Sequence, residues 1–98
     1  MLFMFTGKPR PGLAEADQQR ALNVFRGWTP PSGMTIKAHY VGVTGGDFVI
    51  VETSSVEAMI EAVAVWAPFI AYAVAPIVDA SDGAASLARA VALRTQIL

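Results

Sequence analysis

Two runs rich in β-branched and aromatic residues, Met34–Val43 and Phe48–Thr53, flank the tetrapeptide Thr44-Gly45-Gly46-Asp47. A Gly-Gly pair between such runs predicts a tight antiparallel hairpin. The favoured two-residue turns need φ > 0 at their central positions, and glycine reaches that region without steric cost. A hairpin in the middle of so short a chain limits what its two sides can do. Each side must supply elements that pair with it or cover it.

Each side carries one strand-like run and one helix-period segment. Met1-Leu2-Phe3-Met4-Phe5-Thr6, ended by Gly7, reads as a buried strand. Lys8-Pro9-Arg10-Pro11-Gly12 is a loop. Leu13–Trp28 is helical in pattern, with Ala21, Val24, Phe25 and Trp28 at i, i+3, i+4 and i+7. Thr29-Pro30-Pro31-Ser32-Gly33 stops that helix. After the hairpin, Ser54 with Glu57 three residues later forms a capping box for a helix that Pro68 ends. Phe69–Val78 reads as a fourth strand, with Ala71, Ala73 and Ala75 alternating against Ile70, Tyr72 and Val74. Pro76 suits an edge position or a bulge. Residues 79–98 form an Ala-rich tail helix capped by Asp79 or Ser81. The order β-α-β-β-α-β plus a tail helix is the α+β, ferredoxin-like pattern: a four-stranded antiparallel sheet with both helices on one face.

The chain has 98 residues, which suit one domain. Apolar residues make up 54% and charged residues 15%, against about 25% charged in an average soluble domain. A small domain has much surface per unit volume and needs charge to cover it. The shortage therefore points to apolar surface left for a partner, and the open sheet face is where two helices cannot reach. A homodimer through that face is the expectation, since symmetric dimers dominate oligomers. The formal net charge is −1 and the seven basic residues are scattered, so no nucleic-acid footprint exists. There is no cysteine, which removes disulfides and thiolate chemistry. Ala62–Val78 runs 17 residues without a charge, close to the lower limit for a membrane helix, but Pro68 and Pro76 interrupt it. No export pattern is present in Met1–Phe5, so a cytoplasmic location is expected.

Met1–Phe5, the His39 strand, Phe48–Thr53, the helix from Val56 to Trp66, and Val74-Ala75-Pro76-Ile77-Val78 together resemble a bacterial family of small domains of unknown function in the dimeric α–β barrel superfamily. The resemblance spans roughly residues 1–80, with the tail helix outside it. It implies two sheets packed face to face across a two-fold axis. Relatives in that superfamily include cofactor-free monooxygenases, isomerases, decarboxylases and haem-degrading enzymes, so the fold leaves the chemistry open. The resemblance supplies no catalytic residues to carry over.

His39 is the only histidine. If Gly45-Gly46 is the two-residue turn, His39 lies directly opposite Glu52. If Thr44-Gly45 is the turn, Lys37 takes that place and His39 stays on the same face as Glu52. A three-residue loop shifts the pairing by one and sends His39 and Glu52 to opposite faces. Opposed, the two make a proton-transfer dyad in which the carboxylate orients the imidazole. The plainer reading is a cross-strand polar pair that fixes register. Trp28, Tyr40, Trp66, Phe69 and Tyr72 are candidates for lining a ligand cavity, or for packing core and interface. One histidine and dispersed carboxylates do not assemble a metal site within one chain, and a site built from two His39 residues across a two-fold axis is the remaining route. No cofactor is called for.

Three functions follow. The first is a homodimeric domain that binds a small apolar or aromatic molecule between sheet and helices. The second is a cofactor-free monooxygenase or isomerase with His39 and Glu52 as acid and base. The third is an assembly module whose apolar face serves association alone.

Overall fold

The computed structural model describes residues 1–98. Seven elements follow one another: β1 (Leu2–Pro9), α1 (Glu15–Gly27), β2 (Met34–Val41), β3 (Asp47–Thr53), α2 (Val56–Trp66), β4 (Ile70–Ile77) and α3 (Ala80–Ile97). The four strands form one antiparallel sheet in the order β2-β3-β1-β4. This is the expected ferredoxin-like α+β fold with an additional C-terminal helix.

The alternation along β3 sets the two faces. Asp47, Val49, Val51 and Thr53 are buried, while Phe48 and Glu52 between them are exposed. Phe3, Phe5 and Gly7 of β1 pair with Val51, Val49 and Asp47, and so share the buried face. Tyr72 pairs with Gly7 and Val74 with Phe5, so β4 turns Ile70, Tyr72 and Val74 to that face and its alanines away. The core is Phe5, Met34, Val49, Val51, Ala58 and Ala62, with Trp28, Ile36, Met59 and Val63 packed around it.

The two covering helices are seated unequally. α2 buries Ala58 and Ala62, whose small side chains let its backbone come close to the strands. α1 buries no residue, and its Leu22 and Phe25 remain 50% and 57% exposed. α1 stands off the sheet, and the space beneath it is the cavity described below. α3 also buries no residue and extends from the body, so the whole chain is 59 Å in its longest dimension.

Several local expectations change. β1 runs on through Gly7, Lys8 and Pro9 instead of ending at Gly7. Beyond Gly7 it has lost β3 as a neighbour and pairs only with β4, so a proline at position 9 leaves one side of the ladder unbroken. Pro76 lies in β4, an outer strand of this sheet, as its missing N–H requires. The cap of α2 is Ser55, not Ser54: its Oγ accepts the Ala58 N–H at 3.1 Å. Thr53, two residues earlier at the end of β3, accepts the Ser55 N–H at 3.0 Å and donates to the Gly33 carbonyl at 2.8 Å. Asp79 caps α3 by accepting the Ser81 N–H. The uncharged stretch from Ala62 to Val78 is divided between the end of α2 and β4, and no helix is long and apolar enough to cross a membrane.

The hairpin between β2 and β3 closes differently from the two-residue turn. Val41 pairs with Asp47, and the Gly42 N–H donates to the Gly46 carbonyl, which leaves Val43, Thr44 and Gly45 as the loop. Gly45 has φ +89°, a conformation glycine supplies. His39 therefore pairs with Val49, and Glu52 with Thr35. A bulge between Ile36 and Ala38 adds Lys37 as an extra residue. It changes the phase of β2, so Met34 and Ile36 before it and His39 and Val41 after it all turn toward the helices.

Candidate functional site

A cavity of about 1030 Å³ lies between the sheet, α1 and α2. Seventeen of its 26 lining residues are hydrophobic, so a ligand held there is recognised mainly through apolar surface. Its polar wall is a row that crosses all four strands: His39 on β2, Asp47 on β3, Gly7 on β1 and Tyr72 on β4.

Gly7 makes the row possible. Asp47 and Tyr72 lie on either side of β1, each paired with Gly7. Strands are about 4.8 Å apart, so two residues flanking a third strand meet only if nothing projects between them. A Cβ at position 7 would collide with Asp47 Oδ1 and lie 2.8 Å from Tyr72 Cε1. With glycine there, the Tyr72 hydroxyl donates to Asp47 Oδ2 at 3.0 Å. His39 sits diagonally opposite Asp47, and its Nε2 lies 3.0 Å from the same Oδ2.

Burial tightens the arrangement. The Asp47 side chain is 8% exposed and that of His39 is 31% exposed. Asp47 Oδ1 is buried against Gly7 and has no hydrogen-bond partner. The Tyr72 phenol is pushed well above the usual tyrosine range, first by burial, then by the negative charge of Asp47 and by its hydrogen bond to that carboxylate. Tyr72 thus acts as a permanent donor to Asp47.

The rest of the wall is aromatic. The rings run in a chain from Trp28 to Trp66, Phe25 and His39, with centroid separations of 5.9, 6.4 and 6.2 Å. Phe5 packs edge-on to Tyr72 at 6.0 Å. Phe69 is buried at the other side, with the Arg20 guanidinium 5.8 Å above its ring.

Trp28, Trp66, Phe69 and Tyr72 therefore come together with His39 around one cavity. Two other candidates lie elsewhere. Tyr40 pairs with Phe48 on the opposite sheet face and is 69% exposed. Glu52 is on that outer face too and pairs with Lys37 Nζ at 3.4 Å. The three-residue loop is the reason: it places His39 and Glu52 on opposite faces. Asp47 occupies the position beside the imidazole that Glu52 was expected to hold. Sequence reasoning placed Asp47 in the turn. The signal that reveals it is the alternation of Asp47, Val49, Val51 and Thr53, which makes it the first residue of a buried face. No group of three or more His, Asp or Glu side chains is arranged to hold a metal ion.

A ferredoxin-like α+β domain whose sheet and helices enclose an apolar cavity with a His-Asp-Tyr wall is the class these features define. Within that class the chain belongs to the family described as a domain of unknown function, DUF3303, which it matches over residues 1–91. The match extends into α3, past the residue-80 limit expected of the resemblance. No curated protein and no solved structure matches the chain.

Proposed function

We propose that this domain binds a small apolar or aromatic molecule in the cavity under α1. The observation that carries the reading is the cavity itself: about 1030 Å³ of mainly apolar space with one buried polar cluster on its wall. Ligand sites combine those two properties. Leu22 and Phe25 on α1 face this space yet stay half-exposed, so a bound molecule would supply the apolar contact that the sheet does not. Trp28 and Trp66 line the cavity and report its occupancy. Titration with naphthalene derivatives should quench their fluorescence saturably. Phe25→Ala should weaken the quenching without loss of circular dichroism. Absence of saturable quenching by any apolar aromatic probe rules the reading out.

A second reading, an acid–base enzyme, is favoured by one specific contact. His39 is held by a buried carboxylate, which orients an imidazole for proton transfer. Its site residues are His39, Asp47 and Tyr72, not His39 with Glu52. Turnover of a bound ligand that vanishes in His39→Ala, while quenching persists, distinguishes enzyme from binder.

The proposed assembly is a homodimer through the outer sheet face. Met4, Phe48 and Tyr40 are exposed on three strands there, and Ala71, Ala73 and Ala75 of β4 add a flat apolar edge. No helix of this chain covers that face.

A further inference from the structure

The hydrogen bonds on the cavity wall all run in one direction. An ionised carboxylate accepts hydrogen bonds and donates none. Asp47 Oδ2 lies 3.0 Å from both the Tyr72 hydroxyl and His39 Nε2, so each gives its proton to that oxygen. Tyr72 has no other proton. In the neutral imidazole, a proton on Nε2 leaves Nδ1 as a bare acceptor, and no protein group donates to it. Asp47 Oδ1 is sealed against Gly7. Arg10, the one guanidinium lining the cavity, gives its Nε–H to the Ala67 carbonyl and stands apart from this cluster with its four terminal N–H groups. The His39, Asp47 and Tyr72 cluster has therefore consumed its own donors, and what it has left to offer a ligand is the His39 Nδ1 acceptor.

We infer that the cavity selects apolar aromatic molecules that carry an O–H or N–H donor, such as phenols and aromatic amines, with His39 Nδ1 as the group that accepts it. This inference rests on the cavity being a ligand site. Ethers and ketones of the same shape bring a second acceptor to the bare His39 Nδ1. Carboxylates bring a negative charge beside Asp47. A hydrogen bond contributes roughly 0.5–1.5 kcal/mol net, which corresponds to about a two- to twelvefold preference for the donor.

The test uses the whole chain and three probes of one ring system: 2-naphthol, 2-methoxynaphthalene and 2-naphthoate, each read by Trp28 and Trp66 quenching. The expected result is naphthol binding about two- to twelvefold tighter than the other two. His39→Phe, which keeps a ring in place, should abolish the preference while methoxynaphthalene still binds. Because His39 is the only histidine, nitrogen-15 NMR of the labelled wild-type chain reads its tautomer without any variant. The proton is expected on Nε2. A proton on Nδ1, or naphthoate binding tightest as an imidazolium would dictate, overturns the inference. Equal affinity for naphthol and its ether, with quenching intact, overturns the donor rule and leaves the cavity reading standing. No quenching by any probe overturns both.

Discussion

Single residues on the cavity wall carry distinct and separable effects. Gly7→Ala forces a methyl group into the Asp47 carboxylate and against the Tyr72 ring. Overpacking of this kind costs about 1–3 kcal/mol, and a shift of the urea midpoint at constant m-value measures it. The Tyr72 phenol gives a pH signature. The folded state holds its proton more tightly than the unfolded chain does, because burial and Asp47 both oppose ionisation. Stability from this source is complete below the ordinary tyrosine pKa of about 10 and is lost as pH rises above it. Unfolding followed across alkaline pH should show that fall, and Tyr72→Phe should flatten it. Lys37 and Glu52 behave differently. Their side chains are about half exposed, and exposed ion pairs contribute roughly 0–1 kcal/mol. Glu52→Gln is expected to leave both the melting temperature and probe binding almost unchanged.

At the level of elements, the bulge in β2 and the loop after it aim His39. Were Lys37 an ordinary paired residue of the ladder instead of a bulge, the phase that buries Met34 and Ile36 would carry His39 to the outer face. Deleting Lys37 removes the extra residue and leaves Met34, Ile36, His39 and Val41 in plain alternation on one face, so the naphthol preference should survive the deletion, which probe quenching checks. The helices divide the remaining work. α2 is pinned by Ala58 and Ala62 and holds the fold, whereas α1, with nothing buried, roofs the cavity. α3 adds helix without adding core. Truncation after Asp79 should lower helical signal yet change stability by no more than about 0.5 kcal/mol, as for other surface changes. The order of strands and helices was legible from period and punctuation. The loop length was not, since Gly45-Gly46 fits a two-residue turn as well as the three-residue loop that Gly42 and Gly46 close.

For the whole molecule, one sheet face is covered and the other is open. The low charge content read from composition corresponds to an outer face of Met4, Tyr40, Phe48 and the β4 alanines. If that face pairs two copies, Ala73→Glu places a carboxylate in an apolar interface and should convert a dimer to a monomer in sedimentation, with the cavity and probe binding intact. A wild-type chain that sediments as a monomer at micromolar concentration removes the dimer proposal.

The sequence by itself determined the element order, the apolar faces and the aromatic residues available to a cavity, because these follow from local periodicity and from Pro and Gly breaks. It also singled out His39. The partner of His39 was a tertiary decision. A loop longer by one residue exchanged Glu52 for Asp47, and a bulge kept His39 on the helix side. The meeting of Asp47 with Tyr72 needed β1 to run between them with a glycine at the crossing, and no pattern within one strand announces that. Side chains that alternate every second residue change faces with a single-residue shift, so the register that local signals specify least is what assembles the site.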